Sequence, residues 1–274
     1  MTEEEEIKLA EDDSTPPDIL RKLGRSRSGE VRFRVAVNSN SPVDILTRLS
    51  RDRDGDIRRG VAMNDNTPVS VLEKLSQDKI EEVRKWVAEN PSTTSNILYQ
   101  MSVGDESWQI KQAIIENPNC SVDILDIFSG DEDEDVRGWV ASSDKCPASI
   151  LEELSEDEYS EVRAEVAANR NCPIETILNL LQDEDPEVRE NAKDNPKLEE
   201  YLEIKGPDER DRIERLITML DLGARVSDED LDLDDLDLDD LEDDDLEDDE
   251  DLGESRRAVE RFQLWESRGR SRYK

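Results

Sequence analysis

Apolar positions recur along this chain with a period of 26 residues. In the stretch SPVDILTRLSRDRDGDIRRGVAMNDN, from Ser41 to Asn66, Ile45, Leu46 and Leu49 lie on one face of a helix. A polar turn from Arg51 to Gly55 follows, and then Ile57 and Val61 fall at i, i+4. The phrase repeats from Thr15 to Lys197. Its proline position falls at Pro16, Pro42, Pro68, Thr94, Ser121, Pro147 and Pro173, and only the step from Thr94 to Ser121 is 27 residues. A second column runs Val31-Arg32, Ile57-Arg58, Val83-Arg84, Ile110-Lys111, Val136-Arg137, Val162-Arg163 and Val188-Arg189. A third runs Asn38, Asn64, Asn90, Asn117, Ser143, Asn169 and Asn195. A fixed period of this size marks a stacked repeat architecture.

Each repeat reads as two short helices. The first opens on proline at the first helical position, behind a Ser or Thr cap. The second closes on asparagine, which tolerates the left-handed conformation of a helix end. Helices this short are marginal alone, so each repeat must bury its apolar faces against its neighbours. The fold predicted is an all-α solenoid of about seven repeats over residues 15–198. Residues 1–14 read as a half-repeat cap, with Leu9-Ala10 matching Val35-Ala36 and Asp12 in the Asn38 column. Residues 199–226 read as a closing helix that opens at Pro207, buries Ile213, Leu216, Ile217 and Leu220, and stops at Gly223.

Composition then changes abruptly. Residues 228–251 hold 18 Asp or Glu and six Leu with no basic residue. A segment with so little to bury is expected to be disordered, so 227–252 is set apart as an acidic tail. Residues 253–274 reverse sign, and Ala258, Phe262 and Trp265 share one face of a short amphipathic helix. That helix either docks in a partner groove or folds back on the solenoid.

The 274 residues carry a formal net charge of −37 and no histidine. Without histidine the commonest general base and metal ligand is missing, and no nucleophile–base pair is visible. The expectation is a non-enzymatic protein without cofactor or metal. No apolar run approaches the roughly 20 residues that span a bilayer, and the acidic MTEEEE start is unlike a secretory signal. A cytoplasmic location and no membrane partner are expected. Cys120, Cys146 and Cys172 continue the column of Thr15, Ser41, Thr67 and Thr93. They are either stacked replacements for Ser or Thr, or a metal or redox site. Neighbouring helices pack about 8–10 Å apart, beyond the Cα separation of about 4.4–6.8 Å that a disulfide takes.

The motif of proline, Ile-Leu-x-x-Leu, Asp, then Val-Arg-x-x-Val-Ala-x-Asn resembles the leucine-rich-repeat-variant (LRV) family, and more broadly HEAT-like repeats, over about residues 7–198. The resemblance implies a right-handed superhelix of one α and one 3₁₀ helix per repeat, so the shorter helix is 3₁₀ or α, which propensity does not decide. The family's founding type carries an iron–sulfur cluster on N-terminal cysteines, but residues 1–119 contain none, and the cluster is not carried over. The Asp-x5-Arg pairs, such as Asp52/Arg58 and Asp157/Arg163, resemble the HEAT ladder. There the aspartate caps the second helix and the arginine reaches the carboxylate or carbonyls of the next repeat. A phosphate-binding arginine row is the alternative, opposed by the aspartate that accompanies nearly every arginine.

The resemblance further implies that the second helices line a concave face. The columns facing it would be Phe33-Arg34, Arg59-Gly60, Lys85-Trp86, Gln112-Ala113, Gly138-Trp139, Ala164-Glu165 and Glu190-Asn191. Charge along the chain runs from basic to acidic: residues 15–66 have eleven basic and seven acidic side chains, residues 121–198 seven and 22. Tryptophan and arginine anchor interfaces, although each tryptophan can equally pack as core. The candidate partner-binding residues are Phe33, Arg34, Arg59, Lys85, Trp86, Trp139 and Glu165, with Phe262 and Trp265 in the tail. The function expected is an interaction scaffold that holds a protein or peptide on its concave face, the tails adding contacts. Three other readings stand beside it. In the first, the acidic tail competes with nucleic acid for a basic surface, on a partner or on this chain around Arg21, Lys22, Arg25, Arg27, Arg32 and Arg34. In the second, the chain is a HEAT-like nucleic-acid-processing protein, which its charge opposes. Or the charge serves solubility, including in high salt.

Overall fold

The computed structural model describes residues 1–221 as seventeen α-helices, with no strand among the described residues. The tail residues read above, including Phe262 and Trp265, lie outside the described residues. Helix α1 (Glu3–Glu11) is followed by seven helix pairs. These are α2 (Pro17–Leu23) with α3 (Gly29–Val37), α4 (Val43–Leu49) with α5 (Gly55–Met63), α6 (Val69–Leu75) with α7 (Glu81–Glu89), and α8 (Ser95–Gly104) with α9 (Trp108–Glu116). Then come α10 (Val122–Ser129) with α11 (Glu134–Ser142), α12 (Ala148–Leu154) with α13 (Ser160–Ala168), and α14 (Ile174–Leu180) with α15 (Pro186–Lys193). Helices α16 (Pro196–Lys205) and α17 (Pro207–Asp221) follow. Both helices of every repeat are α, so the 3₁₀ alternative is not realised here.

The second helices stack in one continuous series, α1 on α3, α3 on α5 and so on to α15. Helix α16 packs beside α14 and α17 against α16. The core is a set of columns rather than a centre. Leu20, Leu46, Leu72, Leu98, Leu125, Leu151 and Ile177 are each fully buried. So are Val35, Val61, Val87, Ile114, Val140 and Val166. Each such side chain stabilises the fold by about 1.5–3 kcal/mol relative to exposure, and each is covered from both sides by adjacent repeats. The 27-residue step is absorbed in the first helix of the fourth pair. Helix α8 has ten residues where its counterparts α6 and α12 have seven.

The polar columns do different work from that expected. Pro16, Pro42, Pro68, Pro147 and Pro173 are not first helical residues but cap positions, with φ between −58° and −74° and ψ between 143° and 157°. The residue before each does not cap the helix that follows. Thr15, Ser41, Thr67 and Thr93 instead donate backwards, to the carbonyls of Leu9, Val35, Val61 and Val87 at 2.5–2.6 Å. They close the preceding second helix, whose last carbonyls have no intrahelical partner.

Nor is asparagine present for a left-handed backbone. Asn38, Asn64, Asn90, Asn117 and Asn169 are extended, with φ from −63° to −82° and ψ from 121° to 134°. Their side chains explain them. The carboxamide oxygen of Asn90 accepts from the Ser92 N–H at 2.8 Å, which fixes the turn. Its amide nitrogen donates to Ala62 and Asn64 of the preceding repeat at 2.7 and 3.0 Å. The same geometry recurs at Asn38, Asn64, Asn117, Asn169 and Asn195. Asp12, in the same column, keeps the turn-fixing half of this geometry: its carboxylate accepts from the Ser14 N–H at 2.8 Å.

The arginine ladder runs between repeats. The carboxylate partner of each arginine lies 20 or 21 residues ahead, not six behind. Arg32 pairs with Asp52, Arg58 with Asp78, Arg84 with Asp105, Arg137 with Asp157 and Arg163 with Asp183, at 2.5–2.8 Å. The aspartate six residues back contributes its backbone: Arg58, Arg84, Arg137 and Arg163 donate from Nη1 to the carbonyls of Asp52, Asp78, Asp131 and Asp157. Each guanidinium thus joins its own turn to the next repeat, a use that needs the planar five-donor fork. The aspartate side chain does not cap the second helix as expected. Asp52 accepts from the Asp54 N–H within the turn, and Asp54 is the cap of α5. The first rung is a different pair: Glu6 stands in the arginine column and accepts from the Ser26 hydroxyl, in the aspartate column, at 2.8 Å.

Candidate interaction surface

The second helices carry most of the side chains singled out from the sequence. On α3 the Phe33 ring has two guanidinium groups over it, Arg34 at 5.8 Å and Arg59 of α5 at 5.7 Å from its centroid. Such contacts attract a cation to the ring face. Gly60 makes the room, because a Cβ there would stand 3.1 Å from the ring. Arg34 also pairs with Glu30 at 2.6 Å and with Glu11 at 3.3 Å. Arg59 pairs with Asp56 at 3.4 Å, and its Nε is buried without a partner.

Farther along, Lys85 pairs with Glu89 at 3.4 Å and Trp86 donates from Nε1 to Glu82 at 3.2 Å. Both are half-buried. Helix α9 stands between Trp86 and Trp139 in the stack, and the ring that meets Trp139 is Trp108. The two centroids are 6.1 Å apart with planes tilted by 39°. Trp108 is 51% exposed, and sequence reasoning passed over it. Its signal was a tryptophan in a column that otherwise holds Gly29, Gly55, Glu81, Glu134, Ser160 and Pro186, the first residue of each second helix and nowhere buried. Glu165 is exposed on α13, where partial desolvation and then the charge of Glu187 raise its pKa. Glu152 on α12 is raised in the same way, by burial and then by Glu175 and Glu153. Crowded acids therefore mark the C-terminal repeats on both helix rows.

Three of the six basic residues grouped around α2 and α3 are neutralised. Arg21 pairs with Asp18 and Asp44, Arg32 with Asp52, and Arg34 with Glu30 and Glu11. Lys22, Arg25 and Arg27 have no carboxylate within 4 Å among the described residues. Cys120, Cys146 and Cys172 are buried free thiols, held up to about 11, 12 and 12 chiefly by burial. They fill the Ser/Thr column, and Cys120 and Cys146 make only long contacts, at 3.8 and 3.9 Å, to the carbonyls of Ser121 and Pro147. Among the described residues no three His, Cys, Asp or Glu side chains are grouped to hold a metal ion, and no helix is long and apolar enough to cross a membrane.

An unbroken stack of two-helix units with columnar cores and inter-repeat ladders defines an all-α helical-repeat protein. Its fold matches a solved structure described as a leucine-rich repeat variant with a novel repetitive structural motif, with TM-score 0.53 and 27% identity over 65% of this chain and 71% of that one. The family resemblance read from the columns is borne out by that match. Two engineered proteins also align, at 19% identity and TM-score 0.28 over 70% of this chain and 94% of the other, and at 20% and 0.27 over 68% and 61%. At those scores neither bears on the argument. No protein-family model matches the chain, and no curated protein matches it.

Proposed function

We propose that this protein is a non-catalytic interaction scaffold, and that the second-helix face holds a protein or peptide partner. The observation that carries the reading is the Trp108–Trp139 pair, an aromatic contact with one ring half in solvent. Exposed tryptophan in a fixed frame is what interface hot spots are made of, and stacked repeats supply extended surfaces. Glu106, Glu132 and Glu134 are exposed in the same two repeats. The partner segment is therefore an apolar side chain flanked by Lys or Arg. The Phe33, Arg34 and Arg59 cluster adds a second contact toward the N-terminus, with Lys85, Trp86 and Glu165 along the same row. Residues 227–274, with Phe262 and Trp265, would contribute accessory contacts.

A photo-crosslinking residue placed at Gln112 on α9, the helix that stands between those of Trp86 and Trp139, tests this on the full chain. A partner should be captured from cell extract, and capture should fall at least about tenfold in Trp108→Ala/Trp139→Ala, a loss of about 1.4 kcal/mol. The helical circular dichroism should stay unchanged. Equal capture by the folded double variant sinks the reading.

A further inference from the structure

A cleft of about 690 Å³ lies between the first and second repeats, on the side of the turns that join first to second helices. Five arginines line it, with Asp44 and Asp52. Arg32 is engaged by Asp52, and Asp44 by Arg21. The other four, Arg25, Arg48, Arg51 and Arg53, are exposed, and among the described residues none has a carboxylate within 4 Å or a side-chain hydrogen bond. In a chain with 73 acidic and 36 basic residues, four unneutralised arginines around one cleft are not a solvated average.

Their columns show how far the basic surface extends. The residue after each ladder position is Arg27, Arg53, Lys79, Glu106, Glu132, Glu158 and Glu184, and all seven are exposed. The sign is positive in three repeats and negative in the next four. A long polyanion laid along these turns would run into four carboxylates. A short anionic segment fits. Repeats stack about 8–10 Å apart, and an extended peptide rises about 3.2–3.4 Å per residue, so about three residues span one repeat. The carboxylates of Asp44 and Asp52 in the lining disfavour dianionic phosphate more than a monoanionic carboxylate, and guanidinium forks pair with carboxylates bidentately.

We propose that this cleft binds an extended acidic peptide of a partner protein, about six to nine residues long, with Asp or Glu side chains about three positions apart. The site is independent of the tryptophan face: it lies on the turns and takes a ligand of opposite charge to the one proposed there.

The probe is a fluorescein-labelled oligo-glutamate of about twelve residues, titrated with full-length protein and followed by anisotropy. Binding should be measurable at about 50 mM salt and weaken steeply by about 200 mM, as ion-pair contacts do. Arg51→Glu/Arg53→Glu should weaken it at least about tenfold. Arg170→Glu/Lys193→Glu, with the same change in net charge, should leave it within about twofold. No binding at about 50 mM, or equal loss in both double variants, overturns the proposal. So does tighter binding of a single-stranded oligothymidylate of the same length, because the ligand would then be a phosphate chain.

Discussion

Asn90→Ala is the sharpest test of how the repeats are joined. The Asn90 side chain is 3% exposed and makes three hydrogen bonds, to the Ala62 carbonyl, the Asn64 carbonyl and the Ser92 N–H. The three losses are unequal. Asn64 O keeps a second donor, the Thr67 N–H at 2.9 Å. Ala62 O, one of the last carbonyls of α5, has no other partner outside that helix. Orphaning a buried carbonyl costs about 1–3 kcal/mol, and each of the other two bonds contributes about 0.5–1.5 kcal/mol net. The expected cost is about 4 kcal/mol, large beside the roughly 5–15 kcal/mol of a whole domain.

Urea unfolding, followed by circular dichroism and by amide hydrogen exchange, measures it. Exchange locates the damage, which should centre on α5 and α7, because the lost bonds cross from one repeat to the next. Asn90→Asp sharpens the test. A carboxylate has the turn acceptor but no donor, so at neutral pH it faces two carbonyls and should cost more than alanine. Burial raises a carboxyl pKa, so this variant should regain stability as pH falls toward 4, when the protonated acid can donate. The ladder account is refuted if Asn90→Ala costs less than about 1 kcal/mol, or if the aspartate variant is the more stable of the two at pH 7.

Other consequences can be checked directly. Ser143 stands in the asparagine column, and the Lys145 ammonium instead donates to Asn117 O at 2.5 Å; Ser143→Asn should therefore stabilise by about 1 kcal/mol, and Lys145→Met should cost more in the native background than in that variant, as a double-mutant cycle reads. Asp78→Ala leaves the Arg58 guanidinium, with side-chain exposure of 10%, unpaired and should cost about 3 kcal/mol in thermal or urea unfolding. Burial pushes Asp52, Asp78, Asp157 and Asp183 upward, but their ladder arginines and turn N–H groups outweigh it and hold all four below the usual carboxylate range. Their contribution is thus complete above the unfolded value of about 3.9 and is lost as pH falls through the lowered folded values, so an acid titration should steepen below about pH 4 and flatten in Asp78→Asn. The three cysteines should react with a thiol reagent only as fast as the stack opens, since few thiolates form at pH 8 behind pKa values of about 11 to 12; rapid labelling of the native chain would refute their burial.

The repeat and its apolar columns were legible because stacking imposes one constraint seven times. A single Ile-Leu-x-x-Leu run is compatible with any buried helix, whereas seven in register admit few arrangements. The polar columns were legible as columns but not as contacts. Spacing within a repeat pairs Asp52 with Arg58 at six residues, while packing pairs Arg32 with Asp52 at 20, and only the second separation brings carboxylate to guanidinium. Asparagine was misread for the same reason: its turn-forming oxygen is local, but its amide nitrogen serves carbonyls 26 to 29 residues earlier. Trp86 and Trp139 share a column, yet rings meet by helix face and not by column: on α9 that column holds Ala113, and Trp108, five positions earlier, is the ring that reaches.

The joint between the fourth and fifth repeats decides how the tryptophan pair is to be understood. There the ladder weakens twice. Lys111 makes one bond to Asp131 where Arg58 makes two to Asp78 and two more to carbonyls of its own turn, and Ser143 provides no amide donor. Trp108 and Trp139 bridge α9 and α11 at that same joint. The rings are therefore a staple as well as an exposed surface. The magnitudes separate the two roles. An aromatic pair contributes about 0.5–1.5 kcal/mol beyond the area it covers, and Trp108 is half in solvent. Trp108→Ala should then lower stability by only about 1–2 kcal/mol, leaving the chain folded, so a larger loss of partner capture must come from the interface. If Trp108→Phe restores stability but not capture, the indole itself is recognised. If stability and capture return together in Trp108→Phe, the pair acts only by holding the joint, and the partner must be sought elsewhere on the stack.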